Sequence, residues 1–137
     1  MAEKIYYLKN ILLYLWQLPQ NLLGLLVIFI TGASYEKVLN WENEYIAYNF
    51  QYFGVSLGKY IIFGKRSTEI AYKHECGHCK QSEYLGWFYL LIIGLPSLLG
   101  NIYDRIFHQK WNNSKRVKWY YSQPWEAWAD KLGNVKR

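Results

Sequence analysis

The chain has 137 residues, of which 52% are hydrophobic and 20% aromatic, and this length suits one domain with a modest core. Its formal net charge is +6, but the basic residues are scattered, and its 2 cysteines stand close together. We therefore expect no nucleic-acid partner and no secreted disulfide framework. The 7 Trp and 14 Tyr exceed what a soluble enzyme of this size needs and favour a membrane interface.

The first apolar stretch covers residues 11–30, near the minimum length for crossing a bilayer. It is interrupted by Gln17, Pro19, Gln20 and Asn21. Because Pro19 kinks or breaks a helix, the stretch is either one kinked spanning helix, two short interfacial helices, or a buried helical hairpin. We favour membrane contact. We therefore divide the chain into an apolar helical segment, residues 1–34, and a metal-binding domain, residues 35–137.

Strands are expected next, because residues 44–64 are rich in aromatic and β-branched side chains. Residues 45–50 and 55–63 are predicted to form a short antiparallel hairpin. Phe53 and Gly54 can form its turn.

A helix is predicted to begin after Ser67 or Thr68, either of which can cap it, and to continue to about Tyr84. It contains the pattern H-E-x-x-H, formed by His74, Glu75 and His78. Residues four apart share a helix face, so both imidazoles can bind one metal ion. Glu75 is rotated about 100° away, which suits a base that holds water rather than a ligand. A catalytic site needs a third protein ligand.

The same helix contains C-G-H-C, formed by Cys76 to Cys79, which resembles the active site of protein disulfide isomerases. That chemistry needs the first cysteine at a helix N-terminus, where the dipole lowers its pKa, and a buried strand leading into the motif. Here Cys76 falls inside the predicted helix. We expect both thiols to be small packed side chains, and a thiol oxidoreductase is the weaker alternative.

A second apolar stretch, residues 85–101, is interrupted by Pro96 and by two glycines. A re-entrant or interfacial segment is favoured over a simple span, and a buried core helix is an equal alternative. The polar, basic residues 108–117 follow it and are predicted to form a loop around Asn112.

The C-terminal helix is predicted to begin at Pro124 and to stop at Gly133. Its Glu126 and Asp130 are four apart, on one face. Glu126 can supply the third ligand, and Asp130 can accept a hydrogen bond from a ligand histidine. An oxyanion donor is also required, and its candidates are His108, Tyr120 and Tyr121, among which the spacing does not choose.

HECGH followed by EAWADKLG resembles the gluzincin metallopeptidases. The motif H-E-x-x-H with E-x-x-A-D-x-x-G is most similar to the membrane CAAX prenyl endopeptidase and heat-shock membrane protease group. The resemblance implies Zn²⁺ held by His74, His78 and Glu126, with Glu75 as catalytic base and Asp130 as support. It also implies that residues 55–63 form an edge strand that aligns an extended substrate.

These observations predict a helix-rich α+β fold with a minimal zincin-like core: the hairpin, the active-site helix and the C-terminal ligand helix, with two apolar helical segments. The expected function is a membrane-associated zinc metallopeptidase, located at the bacterial cytoplasmic membrane, that cleaves a peptide or protein substrate. The main alternative is a non-catalytic membrane protein with a structural or degenerate zinc site.

Overall fold

The protein is a helix-rich α+β chain in a computed structural model that describes residues 1–35, 45–50, 54–64 and 68–137. The elements in chain order are α1 (Ala2–Trp16), α2 (Leu18–Thr31), β1 (Ser34–Tyr35), β2 (Ile46–Asn49), β3 (Val55–Leu57), β4 (Tyr60–Phe63), α3 (Glu69–Leu85), α4 (Leu95–Phe107), α5 (Asn113–Tyr121) and α6 (Pro124–Leu132). The helix-rich α+β class expected from the sequence is confirmed.

The four strands form one mixed sheet in the order β1-β2-β4-β3. The predicted hairpin between residues 45–50 and 55–63 is wrong, because β2 pairs with β4 in parallel. The hairpin lies within residues 55–63 instead, where β3 and β4 pair antiparallel across a two-residue turn. Gly58 in that turn has a φ of +64°, which a glycine adopts without strain. The turn proposed at Phe53 falls outside the described residues, and β3 lies at an edge of the sheet.

The first apolar stretch forms two helices, α1 and α2, which are bent by 81° at their junction. The break falls at Gln17, so Pro19 lies in the first turn of α2, where its missing N–H removes no helical hydrogen bond. The 81° bend fits both a kinked span and two short helices.

The polar residues of this stretch attach α2 to the rest of the protein. Gln20 Nε2 donates to Ser82 Oγ on α3 (2.9 Å), and Ser82 Oγ donates to Gln17 Oε1 (2.7 Å). Asn21 Oδ1 accepts from the backbone N–H of Lys59 in the β3–β4 turn (2.8 Å). The side chains of Gln17, Gln20 and Asn21 are almost fully buried. The residues that interrupt the apolar pattern are thus the ones that fix the position of α2.

Helix α3 begins at Glu69 and ends at Leu85, as expected, and the Thr68 hydroxyl caps it by accepting from Ala71 N. The alternative cap, Ser67, lies outside the described residues. One face of α3 packs on the sheet in a small core made of Ala47, Ile61, Phe63, Tyr72 and Cys79. Cys76 packs against this core. The prediction that both cysteines are packed side chains is confirmed.

Another face of α3 packs closely against α6. A Cβ atom on Gly77 would overlap the carbonyl oxygen of Ala129, and one on Gly133 would overlap the carbonyl oxygen of Lys73. Gly77 therefore allows the close approach of α6. The C-terminal helix itself matches the prediction, running over Pro124–Leu132 and ending at Gly133.

The second apolar segment is longer and more regular than expected. A 3-10 turn, Gly86–Phe88, and a π-helical turn, Leu90–Gly94, lead directly into α4. Pro96 lies in the first turn of α4 and is tolerated there. The run Leu90–Phe107 has 18 residues, is long and apolar enough to cross a membrane, and is only 11% buried. The alternative of a buried core helix is therefore wrong.

The predicted loop at residues 108–117 is largely helical. The Asn112 side chain accepts from Lys115 N at 2.8 Å and caps α5, so the polar cluster marks the start of a helix. We missed α5 because its sequence has little apolar periodicity. Helix α5 leads to Tyr120 and Tyr121, beside α6.

Candidate metal centre

Three buried side chains from two distant segments converge. His74 Nε2 lies 3.0 Å and His78 Nε2 lies 3.1 Å from the same oxygen, Oε2 of Glu126. The three residues form a group that can hold a metal ion, with one ligand atom from each within 4.8 Å of the others. The sequence named these residues as ligands, and the packing of α3 on α6 brings them together.

The outer nitrogens of both imidazoles have partners that can only accept a hydrogen bond. His74 Nδ1 lies 2.7 Å from Asp130 Oδ1, and His78 Nδ1 lies 2.7 Å from Gln81 Oε1. The orientation of the Gln81 amide is fixed because its Nε2 donates to the Trp125 carbonyl at 2.8 Å. Both Nδ1 atoms therefore carry hydrogen, and in the neutral rings both Nε2 lone pairs point at Glu126. Asp130 makes the hydrogen bond to a histidine that the sequence suggested.

This arrangement demands a positive charge at its centre. Two nitrogen lone pairs and a carboxylate oxygen cannot satisfy one another without a shared proton or a cation. Burial alone would raise the pKa of Glu126, but the hydrogen bonds that His74 and His78 donate when protonated outweigh it and lower that pKa. Burial alone would lower the pKa of His78, but the hydrogen bond to Glu126 outweighs it and raises that pKa. Two imidazoles and one carboxylate are also a donor set that suits Zn²⁺.

The second oxygen of Glu126 is held by a serine that the sequence analysis did not identify. Ser97 Oγ, from α4, donates to Glu126 Oε1 at 2.6 Å. The Tyr120 hydroxyl lies 3.1 Å from Ser97 Oγ. Because the serine hydrogen is used on the carboxylate, Tyr120 donates to Ser97. This chain fixes the plane of the Glu126 carboxylate and leaves Oε2 for the two imidazoles.

Glu75 lies beside the cluster, not in it. Its Oε2 accepts from Ser56 Oγ at 2.8 Å, and Ser56 is a buried residue of the edge strand β3. Its other oxygen faces Gly54, where a Cβ would stand 3.7 Å away. The Glu75 side chain is only partly buried. Ser56 was also missed, because its pairing with Glu75 depends on how the edge strand packs on α3.

The three oxyanion candidates are separated by the structure. The Tyr121 ring stands edge-on to the His74 ring, with centroids 4.9 Å apart. Tyr120 reaches the cluster through Ser97, as described above. His108 makes its contacts elsewhere: its ring stacks on Trp111 at 3.7 Å, and its Nδ1 faces Asp104 Oδ1 at 3.1 Å. The structure therefore brings the two tyrosines to the metal group, whereas His108 belongs to a separate cluster with Trp111 and Asp104.

The two cysteines are unsuited to redox chemistry. Both are free thiols, and burial raises the pKa of Cys76 to about 11 and that of Cys79 well above its usual range. A reactive cysteine needs the opposite shift. Cys76 is also well inside α3, far from the helix N-terminus.

No protein-family model, curated protein or solved structure matches this chain. The function is therefore inferred from the geometry of the chain's own residues. That geometry consists of a buried His-His-Glu group, a neighbouring glutamate held by an edge strand, and supporting hydrogen bonds on both imidazoles.

Proposed function

We propose that this protein is a membrane-associated zinc peptidase in which His74, His78 and Glu126 bind the metal. The observation that carries the proposal is the convergence of both Nε2 atoms on Glu126 Oε2, with both Nδ1 atoms committed to acceptors. Neutral imidazoles held in this tautomer are the form that binds zinc. Membrane association is supported by the exposed apolar run Leu90–Phe107.

The chemistry of the site follows from three protein ligands, a set typical of catalytic zinc, which keeps a position open. Bound zinc would lower the pKa of water and polarise a peptide carbonyl. Glu75 takes a proton from the attacking water and passes it to the leaving amine. Ser56 occupies Oε2 of Glu75 and so leaves Oε1 for this proton. The edge strand β3 can pair with an extended peptide, as edge strands do.

The test is Glu75→Gln, which keeps the shape of the side chain but cannot take up a proton. We expect the variant to bind zinc as the wild type does and to lose about 10²-fold to 10⁴-fold in peptide hydrolysis, the usual contribution of a general base. Activity is measured on unstructured peptides, and zinc content by elemental analysis. Wild-type hydrolysis that persists in excess chelator would contradict the proposal.

The second candidate is a non-catalytic protein whose zinc is structural, which the near-complete burial of all three ligand residues favours. Structural zinc usually has four protein ligands, and the described residues supply three at this group. Incubating the wild type with unstructured peptides, with and without chelator, separates the two. Stoichiometric zinc without chelator-sensitive cleavage would support the structural role.

A further inference from the structure

Helix α2 is turned with its polar side inward. The residues buried on it are Gln20, Asn21 and Gly24, which follow the helical period. Its large exposed side chains are all apolar: Leu22, Leu23, Leu25, Leu26, Phe29 and Ile30. A helix on the surface of a water-soluble protein shows the reverse arrangement, with apolar residues facing the core.

The run Leu90–Phe107 is inverted in the same way. Its polar or small residues at steps of three and four face the protein, where Ser97 binds Glu126, Gly100 is buried and Asp104 binds Arg116. Its outward side chains form a continuous apolar stripe: Leu91, Leu95, Leu98, Ile102 and Ile106, flanked by Ile92 and Leu99. Contiguous exposed apolar surface on this scale marks a membrane or protein contact.

The ends of this run favour lipid as the partner. Exposed Trp87 and Phe88 lie just before it, and Tyr103 and Phe107 lie near its other end. Basic side chains lie at and beyond that second end: Arg105, inside the last turn of the run, and Lys110 are exposed, and Lys115 lies over the Trp111 ring at 4.0 Å. Aromatic and basic residues at the two ends of an apolar helix are typical of the headgroup levels of a bilayer. A protein partner would not require this banding.

We propose that the outward faces of α2 and of Leu90–Phe107 lie in the hydrocarbon of a phospholipid bilayer, with Lys110 and Trp111 at the headgroups. The metal group then lies at hydrocarbon depth. Ser97 is the eighth of the 18 residues of the run and donates directly to Glu126. At 1.5 Å per residue, it stands about 10 Å along the helix from Leu90 and about 15 Å from Phe107. The lipid contact itself does not depend on the proposed peptidase function.

The test is the quenching of single fluorescent labels by lipids that carry bromine at a known depth. Labels are attached to Leu25→Cys and Leu98→Cys, in a background of Cys76→Ala and Cys79→Ala, and the full chain is reconstituted in phosphatidylcholine vesicles. Both labels should be quenched at least twofold more by mid-chain bromines than the control label at Lys131→Cys, which is exposed on α6. A label at Lys110→Cys should respond more strongly to a headgroup quencher than to mid-chain bromines.

Two results would overturn the proposal. One is equal quenching at Leu98→Cys and Lys131→Cys. The other is protection of the Leu25 and Leu98 labels by a second copy of the chain, seen as a dimer by light scattering, which would make these faces a protein interface. Zinc content is measured on the same samples. If the labels are quenched but the chain holds no zinc, the peptidase proposal fails and the lipid contact stands. If zinc is bound but the labels are not quenched, the lipid contact fails and the metal site stands.

Discussion

Gln81 fixes the tautomer of His78 and therefore which ring nitrogen is free to bind a metal. Its carbonyl oxygen fixes the Nδ1 hydrogen of His78, and its own NH₂ group is fixed by the Trp125 carbonyl. Asp130 does the same for His74, and Arg137 holds the second Asp130 oxygen at 2.7 Å. These outer contacts fix the tautomer in which each neutral ring turns its Nε2 lone pair inward, which is the form that binds a metal.

Replacing Gln81 by leucine is therefore expected to weaken zinc binding about 10-fold to 100-fold, the usual effect of losing such a partner. The measurement is competition with a chromophoric chelator. Gln123→Leu is a matched control, because the Gln123 side chain donates to the Trp119 carbonyl, away from the buried group. Equal zinc affinities for the Gln81 and Gln123 variants would show that the tautomer argument is wrong.

The two cysteines, unlike Gln81, are expected to be dispensable for zinc binding. Because Cys76 and Cys79 pack on the sheet and their thiol pKa values are raised, Cys76→Ala with Cys79→Ala should keep zinc and peptide cleavage. The cost is a loss of stability of roughly 1 kcal/mol for each, a typical value for small core changes. Zinc content and activity of the double variant check this. Loss of activity with zinc retained would point back to thiol chemistry.

At the residue scale, the two motifs predicted the residues that meet in the buried group. H-E-x-x-H and E-x-x-A-D each place their residues on one helix face, so the sequence predicted His74, His78, Glu126 and Asp130 as one group. Ser97 and Ser56 could not be found this way, because each acts on a residue of another element. The one signal for Ser97 was that a serine interrupts the largely apolar residues 85–100.

At the scale of elements, the close contact of α3 with α6 is what assembles the site. Gly77 and Gly133 each bring a backbone carbonyl of the facing helix to a distance that excludes a side chain. Gly77 of H-E-C-G-H and Gly133 of E-x-x-A-D-x-x-G therefore have a packing role. They let the two helices that carry the buried group approach each other closely.

Gly77→Ala should force α3 and α6 apart, because the added Cβ meets rigid backbone of Ala129. We expect a stability loss of about 1–3 kcal/mol or more, as for other overpacked sites, together with weaker zinc binding. Chemical denaturation and chelator competition measure the two effects. Gly94→Ala is the control, since a Cβ there comes no closer than 3.4 Å to a flexible Leu90 side chain. Similar losses in both variants would mean that the helix contact is not decisive.

The wrong predictions about strand pairing and about the polar residues of α2 have physical causes. Periodicity located the strand region but not the pairing, because a glycine turn inside residues 55–63 and a parallel β2–β4 ladder depend on tertiary contacts. The polar residues of α2 were taken as interruptions, although they bond α2 to α3 and to the β3–β4 turn. Helices α3 and α6 were predicted well because each has both a cap or stop signal and a local motif.

At the scale of the whole molecule, the protein has a small core and a large apolar exterior. The core between the sheet and α3 is formed by few side chains, whereas α1, α2 and α4 expose most of theirs. Stability must then come from sources besides that core, and an ion bound at the metal group would be one. An ion that binds only the folded chain adds RT ln(1 + [L]/Kd), about 4 kcal/mol at a thousandfold excess over Kd. Zinc would link the middle of the chain to its end.

The central claim is that His74, His78 and Glu126 share one divalent ion, and the zinc content of the purified chain tests it most directly. We expect one zinc per chain in the wild type after dialysis. We expect the same content in Glu75→Gln and almost none in His78→Ala or Glu126→Ala. A wild type that binds no zinc, or a His78→Ala variant that keeps a full equivalent, would contradict the account.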